Sequence, residues 1–191
     1  MISKRVDEII EKTKAIKISS EKVFDSGFIK IFNEKIKLPD GRVVVKQRIS
    51  KNNDKDAAII ITRTNDDKYI IVFQNRVNGI VSAEFPSGYI EENEDVITGA
   101  LREVKEETGF ISDDAKIFDT SMSSIGTEDS IIHIVFVDNA VKVNDQDLDD
   151  DEYINYELFT FDELEELVNN NYIQGTSNKL AFYYLKNIVK K

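Results

Sequence analysis

The run Arg102-Glu103-Val104-Lys105-Glu106-Glu107-Thr108-Gly109-Phe110, preceded by Gly88 and Glu94, holds the residue types best suited to chemistry. On a helix each residue advances ~100° and ~1.5 Å, so Glu103 and Glu107 stand one turn apart on nearly one face, with Glu106 beside them. Three carboxylates in one turn repel each other, and the negative end of the helix dipole worsens the repulsion. An external cation resolves it. The donor set is all oxygen: the chain has no cysteine and a single histidine, His133. That chemistry points to Mg²⁺ or Mn²⁺ rather than zinc. Arg102 can orient one carboxylate through paired hydrogen bonds. Taken alone, the Glu106-Glu107 pair is also compatible with a solvated Glu- and Lys-rich helix surface.

The elements around this run follow from periodicity. Asp95 to Thr108 is predicted helical, with Ile97, Ala100, Leu101 and Val104 on one face and Gly109 as the stop. Val6, Ile9 and Ile10 mark a short amphipathic helix near the start. Strand patterns follow from Ile16 to Ser50, with a hairpin turn at Pro39-Asp40-Gly41. A second hairpin is expected from Ala57 to Thr62 and Tyr69 to Phe73 around Asn65-Asp66-Asp67-Lys68. Further strands are expected at 115–121, 131–137 and 153–159, and helices at 161–169 and 177–189. Asp162 with Glu165 resembles a capping box, with Thr160 as the competing cap. His133 is read as a strand residue facing solvent or a polar pocket, and Phe28, Phe32 and Tyr89 as core or wall residues. The run 145–152 is read as a solvated acidic loop.

Composition narrows the function classes. The 191 residues carry 25 Lys and Arg against 36 Asp and Glu, a formal charge of −11. That balance disfavours nucleic-acid backbones, which need clustered cations, but not a small phosphorylated ligand reached through divalent ions. No apolar run approaches the ~20 residues of a membrane span. The first residues carry a basic pair without an apolar stretch, unlike a secretory signal. The expectation is a cytoplasmic α+β protein, with a helix and β-hairpin extension over 1–50 and the main domain over 51–191.

The full spacing, Gly-x5-Glu-x7-Arg-Glu-U-x-Glu-Glu-x-Gly-U with U apolar, is filled at every fixed position. In this the sequence resembles the Nudix hydrolases. The resemblance implies a mixed β-sheet sandwiched between helices, with a loop–helix–loop carrying the motif. It also implies Mg²⁺- or Mn²⁺-dependent hydrolysis of a nucleoside diphosphate linked to another group. Carried over by position, Glu103 and Glu107 become metal ligands and Glu106 a ligand or ligand orienter. Arg102 and Glu94 become an ion pair, and Gly88 lets the Ser87 carbonyl approach a metal.

Outside the motif the chain is similar to the ADP-ribose pyrophosphatase branch. It shares Gln74-Asn75-Arg76, Glu84-Phe85-Pro86-Ser87-Gly88 and Ser124-Ile125-Gly126-Thr127-Glu128-Asp129-Ser130. By that likeness Arg76 is a phosphate clamp, with a strand-end surface arginine as the alternative. Glu84 accepts hydrogen bonds from the adenine or ribose, or merely pairs with a lysine. Ile125 stands where the branch has proline, and Ser87 where it has alanine. The acid that serves as general base falls on Ser130, so a shortened loop would present Glu128, or less favourably Asp129. The resemblance further implies a small nucleotide substrate and a homodimer using the N-terminal strands. The expected reaction is cleavage of ADP-ribose, or a related nucleoside diphosphate sugar, to a nucleotide and a sugar phosphate. Triphosphates or dinucleoside polyphosphates are the alternative substrates. A non-catalytic sensing module is disfavoured because the motif carboxylates are kept.

Overall fold

The computed structural model describes residues 2–150 and 152–189. The chain forms two compact units, one from the described residues up to Asp54 together with Ser124–Ser130, the other from Lys55–Ser123 and the described residues from Ile131 onward. Of the acidic run 145–152, Asp151 lies outside the described residues.

In the first unit, α1 (Ile2–Thr13) precedes an antiparallel sheet of β1 (Ile16–Asp25), β2 (Ile29–Lys37) and β3 (Val43–Lys51), in that order. Between β2 and β3 the Pro39-Asp40-Gly41 turn closes with Leu38 N–H on Arg42 O at 2.8 Å. Every residue of α1 and β1 is exposed, apolar ones included. Phe28, expected in a core or wall, is 52% exposed, because the unit is a single sheet layer there. Phe32 lies beneath Arg48, whose guanidinium carbon is 4.4 Å from the ring centroid. Glu34 is buried, and the cost of burying its charge is met by Arg48 Nε at 3.0 Å and Ser20 Oγ at 3.1 Å.

The second unit holds β4 (Ala57–Thr64), β5 (Tyr69–Asn75), β6 (Val81–Glu84), β7 (Ser87–Tyr89), α2 (Val96–Thr108), β8 (Phe110–Ile111), β9 (Asp114–Met122), β10 (Ile131–Lys142), β11 (Ile154–Phe159), α3 (Phe161–Asn169) and α4 (Thr176–Val189). The strand order is β11-β5-β4-β10-β8, with β6 on β5, β7 on β4 and β9 on β10. Among the described residues only β4 and β10 pair in parallel, so the sheet is mixed. Alternation along β4 explains the layers. Ile59 and Ile61 pack with Leu164, Phe182 and Leu185 of α3 and α4, while Ala58 and Ile60 pack with Ala100 and Val104 of α2. The sheet is therefore sandwiched between α2 and the α3–α4 pair.

Two local expectations change. The turn at Asn65–Lys68 forms, but β4 and β5 share one register pair, Arg63 with Tyr69. Beyond it the strands splay, and β6 and β7 take the edges that a longer hairpin would have occupied. The α3 cap is Thr160 with Glu163, not Asp162 with Glu165. Helix geometry puts the reciprocal glutamate at the third position, and Glu165 instead pairs with Lys186 of α4. Of the two readings of His133, the polar pocket holds: the residue is buried in β10 with Nδ1 3.1 Å from Thr120 Oγ1 and Nε2 3.6 Å from Asp56 Oδ2. Among the described residues no helix is long and apolar enough to cross a membrane.

Candidate active site

The motif helix is fixed at both ends by local chemistry. Asp95 caps it, accepting Ile97 N–H and Thr98 N–H at 3.1 Å each. Gly109 ends it at φ 70°, donating its N–H to Lys105 O. A Cβ at Gly109 would also strike the Asn144 carbonyl, so both backbone conformation and close approach call for glycine.

The last carbonyls of α2 are taken one by one by the end of β10 and the segment after it. Lys142 Nζ donates to Thr108 O at 2.7 Å, Gln146 Nε2 to Glu107 O at 2.5 Å, and Asp147 N–H to Glu106 O at 2.9 Å. Gln146 Nε2 also reaches Ile154 O at 3.0 Å, tying the helix end to β11. The acidic run is thus partly a clamp.

Arg102 organises those carboxylates. Its Nε and Nη2 each donate to Glu94 at 3.0 Å, and Nη2 also donates to Tyr89 O. Nη1 bridges Glu103 Oε1 and Glu106 Oε2 at 2.8 Å each. Hydrogen bonding to Glu94 holds the guanidinium above its ordinary range, and the same bonds hold Glu94 below the usual carboxylate range. Burial raises Glu103, outweighing Arg102.

Glu107 is the most buried of the set, 2% exposed, and burial pushes its carboxyl well up. Ser87 N–H donates to its Oε2 at 3.1 Å and pulls the other way, while the charges of Glu103, Glu152 and Glu84 add to the rise. Among the described residues no salt bridge forms with Glu107. Gly88 completes the arrangement: a Cβ there would land on the Glu103 carboxylate.

These residues fit a divalent cation. The donors are oxygen only, one is a buried carboxylate with no cationic partner among the described residues, and the Glu103 carboxylate lies where only a glycine at position 88 admits it. Among the described residues no three acidic side chains converge into a ready-made cage. Arg102 engages one oxygen of Glu103 and one of Glu106, which leaves Glu103 Oε2 and Glu106 Oε1 for an ion.

Arg76 and Glu84, given separate roles from the sequence, are joined in the structure. Arg76 Nε donates to Glu84 Oε1 at 2.8 Å and Nη2 donates to Oε2. Glu84 is buried while the Arg76 side chain is 44% exposed, so one guanidinium edge remains open to solvent. Pairing with Glu84 raises Arg76 further above its ordinary range.

Glu128 and Asp129 belong to the first unit. There Lys51 Nζ lies 2.9 Å from Glu128 Oε1, and Arg48 Nε lies 3.5 Å from Asp129 Oδ2. Glu128 is the more enclosed, its side chain 11% exposed against 62% for Asp129.

Sequence reasoning missed Lys142 and Gln146, and also Asn178, whose Oδ1 accepts Phe85 N–H at 2.7 Å from the first turn of α4. These residues act on backbone groups far away in sequence and leave no motif. A lone polar residue on an otherwise apolar helix face, as Asn178 is, was the one available signal.

The NUDIX domain family profile matches residues 53–177. The chain is 29% identical to a methanol dehydrogenase activator of Bacillus methanolicus. It is 28% identical to an ADP-ribose pyrophosphatase of Bacillus subtilis (strain 168). Each alignment runs over 173 residues and covers 88% of this chain and 91% of the relative. A crystal structure of an ADP compounds hydrolase matches with a TM-score of 0.83 at 21% identity, covering 93% of this chain and 95% of that one. Such low identity speaks for the fold alone. With the family profile spanning well over half of the sequence, the chain belongs to the NUDIX domain family.

Proposed function

We propose that this protein hydrolyses the pyrophosphate bond of ADP-ribose, or of a related nucleoside diphosphate sugar, releasing a nucleoside monophosphate and a sugar phosphate. The observation that carries the reading is the buried Glu107, one helical turn from Glu103, whose carboxylate packs against the Gly88 backbone. The ADP-ribose pyrophosphatase among the relatives supports the substrate class.

Glu103, Glu106, Glu107 and the Ser87 carbonyl would hold Mg²⁺, with Mn²⁺ as an alternative. When bound, the ion supplies neutralisation of the pyrophosphate oxygens and a water of lowered pKa. Arg102 keeps Glu103 and Glu106 aimed while its other face is tied to Glu94 and Tyr89 O. The open edge of Arg76, with Glu84 fixing the other, can meet a phosphate oxygen.

Purified protein with Mg²⁺ and ADP-ribose is expected to yield AMP and ribose 5-phosphate, resolved by chromatography. No turnover across a panel of nucleoside diphosphate sugars would contradict the reading, and cleavage of triphosphates alone would favour the alternative substrates.

Glu128 is our choice of general base, ahead of Asp129, from its place in the Ser124–Ser130 loop. Glu128→Gln is expected to lower kcat by ~10²-fold or more, the range of a lost general base, and Asp129→Asn by much less. The reverse ranking in steady-state kinetics would transfer the role to Asp129.

We also propose a homodimer. Ile16, Ile18, Val23 and Phe24 expose apolar surface along β1, which is an edge strand of its sheet. Light scattering is expected to return twice the chain mass, and a monomer at micromolar concentration would reject the proposal. The cysteine-free composition suits a cytoplasmic setting.

A further inference from the structure

Between Glu84 and Ser87 the chain changes neighbours. In β6 Glu84 stands opposite Val72 of β5, whereas in β7 Ser87 stands opposite Ile59 of β4. A backbone passing from one ladder to another must satisfy the polar groups in between, and here both intervening residues are buried. Pro86 has no N–H to satisfy, and its carbonyl accepts Ile60 N–H at 2.8 Å. The remaining donor is Phe85 N–H, on a residue with 0% exposure, and it goes to Asn178 Oδ1. Asn178 is itself 5% exposed and 93 residues distant in sequence. Two residues past Phe85, Ser87 N–H meets Glu107.

We infer that Asn178 is a positioning residue for the carboxylate site. Its amide oxygen fixes the strand switch at Phe85–Pro86, and through the switch it sets the Ser87 backbone against Glu107. The inference rests on reading Glu103, Glu106 and Glu107 as a divalent-ion site. Its physical content is economy of donors. Without Asn178 the buried Phe85 N–H has no strand to pair with, and the segment must shift to find water. Such a shift moves Ser87 away from the oxygen that it holds. Because Oδ1 must face the Phe85 donor, Nδ2 faces the other way, toward Gly175, where even a Cβ would come within 3.1 Å.

The test compares Asn178→Leu, of similar volume without an acceptor, with Asn178→Asp, which keeps an acceptor oxygen. Three readouts are taken on the full chain: amide exchange at Ser87, calorimetric uptake of Mn²⁺, and kcat with KM for ADP-ribose. For Asn178→Leu, Ser87 exchange is expected to quicken by about tenfold or more. Its Mn²⁺ affinity is expected to fall by about tenfold, with kcat falling more than KM changes, as when an outer support of a metal site is lost. Asn178→Asp is expected to keep Ser87 protected. A purely structural role would lower the melting temperature of Asn178→Leu while leaving Ser87 exchange and Mn²⁺ affinity at wild-type values, and that result overturns the inference. Equal loss of Ser87 protection in both variants also overturns it.

Should Asn178→Leu not fold, the wild type still decides. Phe85 and Ser87 amides are expected to open together, and a Ser87 amide exchanging freely while Phe85 stays protected refutes the coupling. Exchange and ion uptake need no nucleotide, so wild-type protein that fails to cleave ADP-ribose counts against the pyrophosphatase reading alone.

Discussion

Glu107→Gln is expected to lower turnover on the order of a thousandfold, the scale of a lost charge-stabilising group. Without metal, the melting temperature of the variant is expected to equal or slightly exceed that of the wild type. The two effects separate because the proposed reading gives the carboxylate a role in catalysis and none in folding. Glutamine preserves the shape and can still accept the Ser87 N–H, so packing around α2 is retained. What it removes is a buried negative charge near Glu103, Glu152 and Glu84.

The sign follows from the direction of the shift. Burial first, and neighbouring carboxylates second, raise the Glu107 carboxyl above its ordinary 4.5. Its contribution to stability is complete below that ordinary value and is lost as pH rises through the folded-state value. Above the folded-state value and without a cation the charge opposes folding, and in the proposed reading a divalent ion offsets it. Added Mg²⁺ or Mn²⁺ should therefore raise the wild-type melting temperature and leave that of Glu107→Gln nearly unchanged. Thermal melts with and without metal check both statements. A marked loss of metal-free stability in the variant would make Glu107 a structural residue instead.

Arg102→Leu is expected to damage both stability and activity. Among the described residues Arg102 is the one cation paired with Glu94, Glu103 and Glu106, and its side chain is 30% exposed against 13% for Glu94. Removing it strands the Glu94 carboxylate, the Tyr89 carbonyl and the crowded pair on α2. Breaking a buried pair costs about 3–5 kcal/mol, and partial exposure reduces that here to ~3. For a chain of this length that corresponds to a melting temperature lower by roughly 6–12 °C. Arg102→Lys keeps the charge but lacks the fork that spans three carboxylates, so it should recover part of the stability and little of the turnover. The double variant Arg102→Leu/Glu94→Gln should regain part of the lost stability, since the stranded charge is gone. A single variant that melts within about 2 °C of the wild type would show that the network contributes less than the ~1 kcal/mol of an ordinary surface pair.

The sequence disclosed those parts of the site whose logic is local. The α2 helix, its Asp95 cap and its Gly109 stop follow from residues within a few positions of one another. So does the crowding of Glu103, Glu106 and Glu107, because helical geometry alone sets their spacing. The sandwich was legible through the apolar strand patterns and the family resemblance.

What escaped depends on distant pairing. Arg76 and Glu84 looked like two independent ligand contacts, and only the β5–β6 ladder shows that they satisfy each other. Nothing local marks the splaying of β4 from β5, since the turn residues between them form the turn in either case. Gln146 and Asn178 meet backbone atoms 39 and 93 residues away, and a backbone atom carries no sequence signal of its own. For His133 a polar pocket was among the expectations, but its members Thr120 and Asp56 were not, since alternation along a strand tells faces apart and not what will cover them.

The account depends most on the carboxylates of α2 being held together for a dication. Isothermal calorimetry of Mn²⁺ and Mg²⁺ into the wild type and Glu107→Gln, with and without AMP, addresses it directly. The prediction is saturable uptake by the wild type and its loss in the variant. No uptake by the wild type under either condition, or equal uptake by both proteins, would contradict it.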